Sequence, residues 1–222
     1  MSVAILLVCC LAVSVSCQSL TSEPPRCCQP RQWRGILGGV GSNVYPLTGN
    51  VVPVDSYTFM TYDYDRKKIG LEVHFRLHNN TERVVQSLLD FGTDQMFLYE
   101  DGKCTVAKIG EPIQEPCVPA SARFLSTSVF GYGAEMLNVN TWEIGTPGSG
   151  NVVKRSYTAG ACIPVMEASY GTHNGASMNL VQLVGNFTLG AGDPRVLDTP
   201  SGAGCTYVNS KGPVYGRRAV FV

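Results

Sequence analysis

The sequence predicts an all-β protein built on a curved antiparallel sheet with one apolar face, and three observations carry that prediction. From Ile69 to Leu77, apolar Ile69, Leu71, Val73, Phe75 and Leu77 alternate with Gly70, Glu72, His74 and Arg76. Successive side chains of a strand point to opposite faces, so this spacing sets one apolar row against a core and one polar row in water. A helix would scatter the same apolar residues around its circumference. Charged residues make up only 15% of the chain and glycine occurs 24 times, which suits strands and turns better than long solvated helices. The neighbouring runs are short, rich in β-favouring residues and separated by turn chemistry, the pattern of a meander.

With 222 residues the chain is long enough for one full-sized all-β domain or two small ones. Its 17 basic residues balance 17 acidic ones. Nothing in that balance favours nucleic acid or an anionic membrane as a partner.

Residues 1–17 read as a secretory signal peptide. Val3 to Val15 is mostly apolar and uncharged, and it gives way to the small-residue segment Ser14-Val15-Ser16-Cys17. An apolar run of roughly 13 residues falls short of the ~20 that cross a bilayer, so the mature chain is expected to be exported and not membrane-spanning. Residues 18–222 are then a single domain. Beyond the leader, Cys27, Cys28, Cys104, Cys117, Cys162 and Cys205 remain, an even number suited to disulfides in an oxidising compartment. They are spread over the chain, unlike the close pairs of zinc sites. The sequons at Asn79 and Asn186 fit glycosylation after export.

In chain order, Cys27-Cys28 opens the folded part, and each of these adjacent cysteines is expected to tie the N-terminal arm to a different place. Gly38-Gly39-Val40-Gly41-Ser42 lacks the lysine of a phosphate loop and reads as a loop or hairpin tip. Tyr57 to Tyr64 is an aromatic strand. Asp63 and Asp65 offer carboxylates that could serve Ca²⁺, but no EF-hand loop surrounds them, and a solvated turn is the expectation. Val84-Val85 and Leu88-Leu89 suit either a helical face or a strand; Val85 to Phe91 is read as strand. Met96 to Tyr99 returns as another, between turns at Gly92-Thr93-Asp94 and Glu100-Asp101-Gly102-Lys103. Three prolines make Ile109 to Pro119 a loop pinned by Cys117. Ala120 to Met136 takes no assignment. Leu137, Val139 and Thr141 alternate into Trp142, Val152 to Tyr157 follows a Pro-Gly-Ser-Gly turn, and Leu180 to Leu189 is a strand carrying its sequon. A turn-rich tail follows Asp193.

No catalytic constellation is evident, and the chain is read as a non-enzyme. His74 and His78 share a strand face about 13 Å apart, too far to hold one ion, and read as exposed polar residues. His173 lies in a loop. No H-E-x-x-H or G-x-S-x-G motif accompanies any of them. Gly216-Arg217-Arg218 reads as an exposed basic tail.

At Cys27-Cys28-Gln29-Pro30-Arg31-Gln32-Trp33 the sequence resembles the ependymin-related family. Cys162-Ile163-Pro164-Val165, downstream of Trp142, and Leu189-Gly190-Ala191-Gly192-Asp193-Pro194-Arg195-Val196-Leu197, leading through Pro200 to Cys205, extend the likeness over nearly the whole mature chain. The resemblance implies a secreted glycoprotein of two stacked, curved antiparallel sheets. They would form a half-open sandwich or barrel with an apolar pocket for a hydrophobic, lipid-like ligand, similar to bacterial lipoprotein carriers. It also associates the chain with Ca²⁺, extracellular matrix proteins, homodimers and, in some members, lysosomes; no other cofactor is implied. Carried over, Cys27 would pair with Cys162 and Cys104 with Cys205, leaving Cys28 for Cys117. Asn186 matches a family glycosylation position, whereas Asn79 rests on its sequon alone.

Leu71, Val73 and Phe75 are the residues expected to face the cavity or its floor, with ordinary core as their competing role. A structural or adhesive matrix glycoprotein without a small-molecule ligand is the alternative, and a pocket of ~300–1,000 Å³ discriminates between the two.

Overall fold

Alternating apolar and polar residues extend the chain, and glycine or Asx positions reverse it. The computed structural model describes residues 23–45, 49–76, 81–145, 151–173, 176–198 and 204–208. The leader, Leu77, His78, Asn79, the turn at 147–150, Pro200 and Gly216-Arg217-Arg218 lie outside them, as does the side chain of His173.

The strands are β1 (Gln32–Tyr45), β2 (Asn50–Asp63), β3 (Lys68–Arg76), β4 (Glu82–Asp90), β5 (Gln95–Glu100) and β6 (Lys103–Lys108). There follow β7 (Arg123–Phe130), β8 (Leu137–Ile144), β9 (Val152–Thr158), β10 (Pro164–His173), β11 (Ala176–Leu189) and the short β12 (Thr206–Tyr207). A 3-10 turn, Pro194–Leu197, lies between the last two. The fold is all-β. Where two sheets were expected, hydrogen bonds run through one, in the order β12-β6-β5-β4-β3-β2-β1-β11-β10-β9-β8-β7. Among the described residues only β12 pairs in parallel. The two halves of a half-open sandwich thus meet at β1, which pairs with β2 on one side and β11 on the other. The sheet bends enough to bring Tyr62 of β2 into electrostatic reach of Arg155 and Tyr157 on β9.

The glycine-rich stretch at 38–42 is not a loop. It lies inside β1, paired on both sides. A Cβ on Gly41 would stand 2.0 Å from the backbone oxygen of Asn179, so here the strands approach too closely for a side chain. Asp63 is likewise no solvated turn residue: it is 2% exposed and accepts bonds from Gln32 Nε2 at 3.2 Å and the Arg66 amide at 3.0 Å. Ala120 to Met136, unassigned from sequence, contains β7.

Register sets the core. Trp33, Tyr62, Ile69, Leu89, Met96 and Ala107 stand opposite one another across β1 to β6, and all are buried. Each large apolar side chain in such a row contributes roughly 1.5–3 kcal/mol through burial. Trp33 is further held between Tyr62 and Phe187, with ring centroids at 5.8 and 5.4 Å. The outer face of β3 to β6 is covered too. Leu88, Phe97 and Val106 pack with Leu197 from the 3-10 turn, which is why β4 carries apolar residues in both parities. Gly70 leaves room for that turn, since a Cβ there would come within 3.1 Å of Leu197 and 3.3 Å of Val196.

Cys104–Cys205 ties the C-terminal segment to β6, while Cys27–Cys162 and Cys28–Cys117 join segments outside the strands, the three closing sequence separations of 101, 135 and 89 residues. In the chain-entropy account, loops of that length make each bridge worth roughly 4–5 kcal/mol against the unfolded chain. The segment 109–122 joins the two packing regions, with Ile109 and Ile113 in the larger core and Val118 and Ala122 in the cluster around Trp142.

Candidate functional site

The inner face continues row by row beyond the Trp33 row. First come Met60, Leu71, Ser87 and Leu98, opposite one another on β2 to β5. Thr58, Val73 and Val85 form the next row, and Ser56, Phe75 and Arg83 the one after. Gly39 of β1 faces Ser56. A cleft of about 490 Å³ opens at this end, within the range of small-molecule sites.

Its apolar walls are Pro53, Val54, Phe75, Val85 and Leu98. Of the three residues expected at the cavity, Phe75 lines the cleft, while Leu71 and Val73 are 4% and 2% exposed and belong to the core behind it. The rim is charged and balanced: Arg76, Arg83 and Lys103 are matched by Asp55, Glu100 and Asp101. Arg83 pairs with Glu100 and holds that carboxyl below its usual range. Arg76 Nη1 lies 4.0 Å from Asp55 Oδ2. Asp101 and Gly102, both with left-handed backbones, make the two-residue turn between β5 and β6 that delivers Lys103 to the rim.

Two polar clusters escaped the sequence reading. On the inner face of β9 and β10, Arg155 Nε donates to Glu167 Oε2 at 2.7 Å, with 5% and 3% of the side chains exposed. Ser169 Oγ donates to Glu167 at 3.1 Å, and Arg155 also donates to Gln114 of the 109–122 segment. Burial would lower the Arg155 guanidinium, but Glu167 and Tyr157 outweigh it and hold it above its usual value. The available signal was a charge sharing strand parity with Val153 and Tyr157.

The second cluster is on the outer face. His74 is no freely exposed polar residue, because only 14% of its side chain is accessible. Its Nδ1 and Nε2 each lie 2.9 Å from a carboxylate oxygen, of Glu82 and Glu72. Tyr57 stacks on the ring at 4.4 Å and donates its hydroxyl to Glu82 at 2.7 Å.

Among the described residues no group of three or more His, Cys, Asp or Glu is arranged to hold a metal ion. The two carboxylates considered for Ca²⁺ are engaged elsewhere: Asp63 as above, Asp65 with Arg31 at 2.5 Å. Asn186 is exposed, with a left-handed backbone, at the register shift where β11 carries one extra residue between the pairings of Arg34 and Ile36. No helix among the described residues is long and apolar enough to cross a membrane.

A search of curated proteins returned no match. A protein-family model described as Ependymin matches residues 79–203, more than half of the chain.

Proposed function

The chain belongs to the ependymin family, and from that premise we propose that it is an exported, non-catalytic glycoprotein that carries a hydrophobic, lipid-like ligand in the cleft on its inner face. The observation that carries this reading is the 490 Å³ volume between apolar walls, continuous with the core row of β3. Phe75 is the wall residue in contact with the ligand, and Leu71 and Val73 are the floor. The three disulfides support export, since such bridges persist in oxidising compartments.

Leu98→Arg tests it. Leu98 is 8% exposed and lines the cleft, so a guanidinium there sets a charge against the apolar chain of the ligand. Native mass spectrometry and solvent extraction of the purified protein are expected to find an apolar ligand in the wild type and none in the variant. Wild-type material free of apolar ligand, and unable to take one up, would sink the carrier reading.

A second reading, adhesion to extracellular matrix proteins, is favoured by the outer face of β2, β1 and β11. Phe59, Val40 and Leu183 are 45%, 62% and 52% exposed there, around the bare backbone of Gly38. It predicts that Phe59→Ser with Leu183→Ser abolishes saturable matrix binding and leaves ligand extraction untouched.

A further inference from the structure

The cleft's volume bears on the ligand's tail. At ~30 Å³ for a water-sized group, 490 Å³ holds about sixteen of them. That is room for an acyl-length chain.

The rim bears on the head. Of its six charges, Arg83 and Glu100 are joined, and Arg76 and Asp55 face each other at 4.0 Å. Lys103 stands opposite Glu100 in the register, but Glu100 is taken by Arg83. Among the described residues Lys103 and Asp101 make no ion pair. One cation and one anion, two positions apart across the Asp101-Gly102 turn, are therefore left facing the mouth. An anionic head would meet Lys103 but also Asp101, and a cationic head the reverse. A head carrying both charges satisfies the two together and leaves the neutral rim neutral.

We propose that the cleft takes a single-chain amphiphile with a zwitterionic phosphate-and-ammonium headgroup, its chain against Val54, Phe75, Val85 and Leu98, its phosphate toward Lys103 and its ammonium toward Asp101. This rests on the carrier reading and narrows it. Phe75 and Leu98 hold the tail; the β5–β6 turn selects the head.

The test uses the full disulfide-bonded chain and probes below their micelle concentrations: hexadecylphosphocholine, palmitate, hexadecyltrimethylammonium and a two-chain phosphocholine lipid. Exposed ion pairs are each worth a fraction of a kcal/mol to about 1, so the zwitterion is expected to bind roughly fivefold tighter than either singly charged probe. The two-chain lipid should be excluded. Lys103→Glu should shift preference toward the trimethylammonium probe and Asp101→Asn, which keeps a residue suited to the left-handed backbone, toward palmitate, with thermal stability unchanged in both. Equal binding of the three single-chain heads, or a ranking that neither variant moves, overturns the headgroup assignment. Equal binding of the two-chain lipid overturns the single-chain assignment. If no probe binds at all, the carrier reading itself falls, a result distinct from the other two.

Discussion

His74 must carry its proton to satisfy its surroundings. Both ring nitrogens face carboxylate oxygens, and a neutral imidazole has only one N–H to donate. Burial would lower its pKa, but the bonds to Glu72 and Glu82 outweigh it, and the net shift is upward from 6.5. The partners move the other way, both lowered from 4.5: Glu72 by its bonds to His74 and Gln86, Glu82 by those to Tyr57 and His74. A raised histidine stabilises fully below its unfolded value and loses that contribution as pH rises through its folded one. Lowered carboxylates stabilise above their unfolded value and lose it as pH falls through the folded one. Both contributions are complete only between pH 4.5 and 6.5. Thermal melts of wild type and His74→Gln across pH 4–9 should show their widest gap in that window, narrowing on the alkaline side. A gap indifferent to pH would mean that the ring acts only by packing on Tyr57 and Phe59. The sequence places His74 on a polar strand face, and that placement holds. It could not show the clamp, because Glu82 and Tyr57 arrive from strands whose register no local pattern specifies.

At the scale of the strand, β1 shows why glycine is ambiguous. Read locally, Gly38-Gly39-Val40-Gly41-Ser42 has the composition of a loop. It is a strand because β2 and β11 supply partners on both edges, and one glycine admits a close approach that a side chain would block. Two substitutions separate these accounts. Gly41→Ala drives a methyl into the Asn179 carbonyl and should cost about 1–3 kcal/mol in urea denaturation. Gly38→Ala meets nothing within 4 Å and should be neutral or stabilising by up to about 1 kcal/mol, through loss of chain freedom in the unfolded state. Equal effects at both positions would contradict the register of β1 on β11. The alternation through Ile69, Leu71, Val73 and Phe75 needed no such partners to be legible, since one strand carries its own period. The cleft was less legible than the strand that runs into it. Its apolar walls, Val54, Phe75, Val85 and Leu98, come from four strands and are adjacent only once the sheet is formed. The double-sided burial of β4 has the same character: Leu88 is covered by Leu197, more than a hundred residues away in the chain.

For the molecule as a whole, the question is what holds the second half of the sheet against the first. The first half is closed by apolar rows. In the second, the inner face of β9 and β10 presents Arg155, Glu167 and Ser169, and Gln114 reaches Arg155 from the segment that links the two cores. A buried ion pair is costly to desolvate, and replacing both charges with well-packed apolar residues is often neutral or stabilising by about 1–4 kcal/mol. Removing one partner is different, because the other charge stays buried without compensation. Glu167→Gln should therefore destabilise by about 3–5 kcal/mol. The double substitution Arg155→Met with Glu167→Leu should recover most of that loss, read as paired urea midpoints at unchanged slope. Gln114→Ala should cost less than either single charge removal, since it takes away one donor's partner and no charge. If Glu167→Gln costs under about 1 kcal/mol, the range of exposed pairs, then water reaches Arg155. In that event the space between the halves is open along β9 and β10 as well as at the cleft, and the ligand site would extend across the whole inner face.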